Sequence, residues 1–153
     1  MGELMKKNSI FNEKTSYFNS FYYIRKGFER FLKENSGDLN INRAESRFLS
    51  EIYYNEGISQ REIAHNLFVS EANIAKTYKK LEGKGLIYKN VDENNNTRRQ
   101  LYLTEKGEAA FEEIIDLYEN YNKSIVEGYS EDEIKASKKI LSEIAEKSLK
   151  LLE

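Results

Sequence analysis

The chain has 153 residues, of which 33% are charged and 39% hydrophobic, and its formal net charge is only −2. This length suits one domain with a real core, and eleven tyrosines with eight phenylalanines argue against a disordered chain. With no cysteine and one histidine, disulfides and thiolate metal sites are excluded, and we expect neither a metal nor another cofactor.

No stretch of the sequence is apolar enough for a membrane span, and the N-terminus lacks the apolar segment of a signal peptide. We therefore expect a cytoplasmic protein with no membrane partner. Charge is unevenly distributed along the chain: residues 1–58 carry +1, residues 59–106 carry +3, and residues 107–153 carry −6. A basic middle third favours a polyanionic partner, although exposed helices also carry lysine without one.

Aromatic residues dominate the first predicted helix, which runs from Ile10 to Leu32. Its apolar positions recur at helical spacing and are too many for one face, so we expect burial on more than one side. The apolar positions are Tyr17, Phe18, Phe21, Tyr22, Ile24, Phe28, Phe31 and Leu32.

Capping boxes predict where three later helices begin, because the two side chains of each box satisfy each other's backbone N–H groups. The boxes are Asn42 with Glu45, Ser59 with Glu62, and Ser130 with Glu133. Ser70 is predicted to cap one more helix, which should end with Gly85 in the C′ position. In the turn before Ser70, we expect Phe68 to pack beneath the two flanking helices.

After Gly85, the spacing of apolar residues changes from a helical pattern to the alternation of strands. The segments "GLIYKNV" and "RRQLYLT", joined by "DENNNT", are typical of a two-stranded β-hairpin. A helix is predicted from Thr104 to about Gly128, followed by the helix that Ser130 begins. The fold class is therefore mainly α, with two pairs of helices, a hairpin and a last pair.

A short helix, a tight turn, a second helix and a hairpin form the winged helix-turn-helix arrangement, in which the second helix enters the DNA major groove. In "VSEANIAKTYKKLEGKGLIYKN", Ile74, Tyr78 and Leu81 share one face of that helix. Small polar groups and lysines suit base edges and phosphates, although a solvated helix face remains the alternative. The predicted DNA-contacting residues of this helix are Ser70, Asn73, Lys76, Thr77, Lys80 and Lys84.

Paired arginines lie near the predicted hairpin turn. Arg98 and Arg99 follow "ENNNT", and a guanidinium is attracted to the negative potential of a narrow minor groove. We predict that both arginines of this wing contact DNA. Arginines on an ordinary surface hairpin are the alternative.

The segment "SQREIAHNLFVSEANIAKTYKKLEGKGLIYKNVDENNNTRRQLYLTEKG" resembles the DNA-binding core of the MarR (multiple antibiotic resistance regulator) family. "LEGKGLI" followed by "LYLTEKG" carries the resemblance, which extends over nearly all of the chain. It implies a single MarR-like domain, residues 1–153, with a winged helix-turn-helix DNA-binding lobe at about 42–104. Helices at about 8–35 and 105–152 would form a homodimerisation lobe.

The resemblance also implies a repressor whose homodimer binds a palindromic operator on double-stranded DNA. One departure concerns the wing, where Asn96-Thr97-Arg98 stands in place of the family's usual Asp-x-Arg. An amide therefore replaces the carboxylate that would orient this arginine in the family pattern. The alternative function is a protein-interaction or dimerisation module whose winged helix no longer reads a specific operator.

Catalytic chemistry is not indicated by the sequence, because His65 has no nucleophile at a diagnostic spacing. We therefore expect a protein that is not an enzyme and has no catalytic residues. A small aromatic or anionic effector is a further hypothesis. Phe21, Tyr22, Arg25 and Phe48 are predicted to line its pocket, with the filling of a dimer core as the equal alternative.

Overall fold

The computed structural model describes residues 17–92 and 95–151, and within strands it leaves the side chains of residues 92 and 95–98 undescribed. The described part has the predicted order of helices and strands, with one additional 3-10 turn at Gly37–Leu39. Its elements are α1 (Tyr17–Asn35), α2 (Arg43–Tyr54), α3 (Gln60–Asn66), α4 (Glu71–Gly83), β1 (Ile87–Asp92), β2 (Asn95–Leu103), α5 (Glu105–Ile125) and α6 (Glu131–Lys150). The start predicted for the first helix, at Ile10, lies outside the described residues.

The predicted helix caps are confirmed. At α2, the Glu45 backbone N–H donates to Asn42 Oδ1 over 2.9 Å, and the Asn42 N–H donates to Glu45 Oε2 over 3.2 Å. The same reciprocal boxes begin α3 at Ser59 and α6 at Ser130. At α4, Ser70 Oγ accepts from the Asn73 N–H, and Gly85 takes the positive φ of a C′ residue.

The described residues up to Leu117 form one compact unit whose core lies among α2, α3, α4 and the start of α5. Apolar residues from the inner faces of these helices and from the wing are almost completely buried. The largest of them are Phe48, Leu49, Ile52, Ile63, Leu81, Leu86, Leu101 and Ile114. Because one side of α4 is buried in this core, its other side faces solvent.

The wing is a two-stranded antiparallel sheet in which Ile87 is paired with Leu103 and Val91 with Arg99. The register is irregular between Val91 and Asp92. The second strand begins at Asn95, so the ribbon is longer than the sequence predicted and includes residues of "DENNNT" that we had assigned to the turn. Leu101 anchors the ribbon in the core, and its amide donates to the Ile58 carbonyl over 3.0 Å.

Residues from Tyr118 onward form a second compact unit, made by the end of α5 and by α6. No side chain of α6 is buried in the single chain. Large apolar side chains that remain exposed on this helix are Ile140, Leu141 and Leu149. No helix in the described part of the chain is long and apolar enough to cross a membrane.

The prediction for Phe68 is wrong. Its side chain is 63% exposed instead of packed beneath α3 and α4, and its backbone φ is +53°. The turn between the two helices requires a left-handed residue, and that conformation directs this side chain outward. Burial of the turn is provided by its neighbours Ile63 and Ala64.

Candidate nucleic-acid interface

Helix α4 presents one polar side to solvent. Ser70, Asn73, Lys76 and Lys80 are exposed, and Thr77 between them is half-buried. The Thr77 hydroxyl donates to the Asn73 carbonyl over 3.1 Å, a local bond within the helix that a ligand acceptor can replace. Five of the six residues predicted for this helix therefore lie on an accessible surface.

The opposite side of α4 holds the helix in the core. Ile74, Tyr78 and Leu81 are buried, as the spacing predicted. Burial is the main cause that raises the pKa of Tyr78, and a hydrogen bond from its hydroxyl to the Glu82 carboxylate adds to the effect. Tyr78 thus remains a neutral donor that fixes its own side of the helix.

Lys84, the sixth predicted contact, is bound within the protein. Its Nζ donates to the Asn40 carbonyl over 2.8 Å and lies 2.9 Å from Glu45 Oε2. The Glu45 side chain is only 4% exposed and that of Lys84 is 29% exposed. Because Glu45 belongs to the capping box of α2, this ion pair joins the C-terminal end of α4 to the start of α2.

Helix α1 is joined to α2 by a second group of charges. Arg43 Nε lies 3.1 Å from Glu29 Oε1, and Lys26 and Arg25 pair with the same carboxylate at 3.1 Å and 3.4 Å. The hydrogen bond from Lys26 is the largest cause that lowers the pKa of Glu29, and the bond from Arg43 acts in the same direction. Glu29 is therefore ionised and holds α1 against the start of α2.

Replacing Lys84 by Met should destabilise the fold, whereas replacing Lys80 by Met should not. The first change leaves the buried Glu45 without its cation, which we expect to lower the free energy of unfolding by roughly 1–3 kcal/mol. Lys80 is exposed and should affect only DNA affinity. Thermal and urea unfolding of the two variants measure the difference, and equal stability would contradict the role that we assign to Lys84.

The wing contributes Arg99, whose side chain is exposed on β2. It lies opposite Val91, near the irregularity in the register. The side chain of Arg98, the other predicted wing contact, and the Asn96-Thr97-Arg98 departure lie outside the described side chains. Their roles stay predictions.

The residues predicted for an effector pocket have different surroundings in the single chain. Phe21, Tyr22 and Arg25 are at least partly exposed on α1, where Arg25 lies over the Tyr22 ring at 5.9 Å and pairs with Glu29. Phe48 has no exposed surface. A separate cleft of about 620 Å³ occurs where the ends of α1 and α4 meet the start of α2. Its lining includes Glu29, Lys33, Asn40, Arg43, Glu45, Lys80 and Lys84.

Comparison with known proteins relates the DNA-binding segment to one family. Residues 41–98 match the model of the MarR family. The uncharacterized HTH-type transcriptional regulator YybA of Bacillus subtilis is 32% identical over 63% of this chain and 64% of its own length. The HTH-type transcriptional regulator Hpr of Bacillus cytotoxicus is 28% identical over 81% of this chain and 66% of its own length. The MarR-family match thus covers the segment from the start of the helix-turn-helix into the wing. Both curated relatives are HTH-type transcriptional regulators, the class of protein that the sequence predicted.

Solved structures of MarR-family proteins have the same fold. A crystal structure of MarR superposes with a TM-score of 0.84 and 26% identity over 92% of this chain and 96% of that one. The structure of S. aureus MepR with DNA superposes with a TM-score of 0.76 over 86% of this chain and 98% of that one, at 22% identity. The second likeness concerns the fold alone. The predicted fold, a mainly helical winged helix-turn-helix with a two-stranded wing, is confirmed. The chain spans just under two thirds of the length of the two curated relatives.

Proposed function

We propose that this protein is a sequence-specific DNA-binding transcriptional regulator that acts in the cytoplasm. The observation that carries the proposal is the exposed side of α4, where Ser70, Asn73, Lys76 and Lys80 face solvent while the opposite side is fixed in the core. In this proposal α4 enters the major groove and the wing approaches the neighbouring minor groove. MepR, which shares the fold, was crystallised with DNA, and this supports the proposal.

Gel-shift titration with the DNA that flanks the protein's own gene tests this function against random duplex DNA. A module that has lost its operator would bind both equally, whereas a regulator prefers one site. Asn73→Ala should cost roughly 1–3 kcal/mol on the preferred site and relax its sequence preference, because an amide suits the paired groups of adenine. Equal losses on preferred and random DNA would remove Asn73 from base recognition.

We propose in addition that the active form is a homodimer that binds a palindromic operator. Exposed apolar side chains on α1 and on α6 support this, since large uncovered apolar patches are typical of interfaces. Phe18 alone is 80% exposed, and Phe21, Ile24, Ile140, Leu141 and Leu149 also remain accessible. Sedimentation equilibrium should give twice the chain mass of 18.0 kDa.

Repression, relieved by a small aromatic or anionic effector, is the remaining part of the proposal. The cation over the Tyr22 ring and the exposed rings of α1 support recognition of such a molecule once a partner chain encloses them. An aromatic carboxylate should lower operator affinity through a coupling of roughly 1–3 kcal/mol. Fluorescence titration of the complex with a panel of aromatic acids, peroxide and zinc measures this. Release by peroxide or zinc alone would refute the effector class.

A further inference from the structure

Phe68 combines two unfavourable features in the turn that precedes α4. Its backbone has φ of +53°, a conformation that is rare for bulky residues, and its ring is 63% exposed. The other described non-glycine residue with a positive φ is Asn40, and asparagine tolerates this conformation. Among the residues that the structure describes, the Phe68 ring makes no ring–ring or cation–π contact. The mostly exposed ring therefore buries little surface that could offset the strain of the Phe68 backbone.

The turn holds Phe68 in a defined place. Its amide donates to the His65 carbonyl over 3.2 Å, and the next amide, that of Val69, donates to the Ala64 carbonyl over 3.1 Å. Ser70, two residues after Phe68, is the N-cap of α4. The ring thus stands at the N-terminal end of the helix whose exposed side carries Asn73 and Lys76, and Val69 beside it is 40% exposed.

We propose that Phe68 reads a thymine by packing against its 5-methyl group in the major groove. The inference rests on the proposed function, because it needs α4 to enter that groove. The N-terminal residues of a recognition helix contact base edges, so an aromatic ring at this end lies near them. The thymine methyl is the apolar feature among the groups that base pairs expose there, and phenylalanine is one of the side chains that contact it. The cationic and polar side of α4 supplies the complementary charge for the duplex.

Replacing single thymines by deoxyuridine tests the inference, since this change removes the methyl group and keeps base pairing. A preferred duplex is first selected from random DNA with the full-length protein. Each thymine is then replaced in turn, and affinities are measured for the unmodified protein and for Phe68→Gly. The unmodified protein should lose roughly fourfold in affinity at one thymine of each half-site, about 0.8 kcal/mol for one buried methyl group. Phe68→Gly removes the ring from both half-sites of the dimer, so it should bind the unmodified duplex roughly sixteenfold more weakly and show no loss at those thymines.

Stability measurements separate this role from a defect in folding. Phe68→Gly removes the left-handed strain, so its melting temperature should be equal to or above that of the unmodified protein. Phe68→Asn, which also tolerates the conformation, should give the same loss of methyl recognition. Asn40→Gly is the matched control: it changes the other strained position and should leave the deoxyuridine pattern unaltered.

Two outcomes are distinct. If the protein selects no duplex and binds all DNA equally or not at all, the proposed function fails. If it selects a duplex, but deoxyuridine changes the affinity of the unmodified protein and of both Phe68 variants to the same extent at every thymine, the function stands. The inference about Phe68 is then overturned.

Discussion

Operator affinity is expected to fall steeply as salt concentration rises. With Lys84 bound internally, a dimer offers Lys76, Lys80 and Arg99 from each chain, together with Arg98, whose side chain is not described. If half to all of these eight cations neutralise phosphates, a plot of log K against log salt should have a slope of roughly −4 to −7. Between 50 and 200 mM salt, affinity should then fall by about 10²- to 10⁴-fold. Fluorescence anisotropy at a series of salt concentrations measures the slope.

Two lysine variants make this measurement specific. Lys80→Met removes one phosphate contact per chain, so the slope of the dimer should become shallower by about 2. Lys84→Met removes an internal ion pair, so it should leave the slope unchanged at temperatures where the variant is folded. A slope near zero for the unmodified protein would argue against DNA as the partner. A shallower slope for Lys84→Met would return Lys84 to the DNA surface.

Features that depend on neighbouring residues could be predicted from the sequence. The capping boxes at Asn42, Ser59 and Ser130 require only a side chain and a glutamate three residues away, and all three form. The buried stripe of Ile74, Tyr78 and Leu81 follows from helical periodicity in the same way. These local signals were sufficient to orient α4 and to identify most of its exposed polar residues.

Features that depend on distant residues could not be predicted. Lys84 was assigned to DNA because it shares a helical face with Lys80, but its partners Asn40 and Glu45 precede it by 44 and 39 residues. The outward direction of Phe68 depends on the backbone conformation of the turn, which residue type did not indicate. The cleft beside Lys33 and Arg43 is likewise formed by separate elements. Contacts with residues distant in the sequence determine these three features, and helical periodicity carries no information about such contacts.

The ion pairs give α4 a fixed position relative to α1. Glu29 holds Arg43 at the start of α2, and Glu45, two residues later, holds Lys84 at the end of α4. Because Glu45 also caps α2, the same carboxylate serves the helix start and the ion pair. Two adjacent charge contacts therefore connect α1, the start of α2 and the end of α4.

Gly107→Ala should cause the largest loss of stability of any single methyl addition considered for this chain. Gly107 is buried in the first turn of α5, and a Cβ there would lie 1.9 Å from the Leu86 carbonyl oxygen and 2.9 Å from its carbon. Both are backbone atoms, so the clash cannot be relieved by rotating a side chain. The contact is held closed by Thr104, whose amide donates to the Leu86 carbonyl over 3.0 Å and whose hydroxyl donates to the Gly85 carbonyl over 2.7 Å.

Relief of the clash in Gly107→Ala must separate α5 from the segment after α4, which breaks both Thr104 hydrogen bonds. Overpacking and the lost bonds together should lower the free energy of unfolding by roughly 2–4 kcal/mol, after the better helix propensity of alanine is counted. Gly83→Ala is the matched control, because Gly83 is also helical and a Cβ there meets nothing within 4 Å. That variant should gain up to about 1 kcal/mol. Urea unfolding at one fixed protein concentration compares the three proteins, since dimer formation makes stability depend on concentration. If Gly107→Ala were as stable as the unmodified protein, the close packing of α5 against the Leu86 carbonyl would be contradicted.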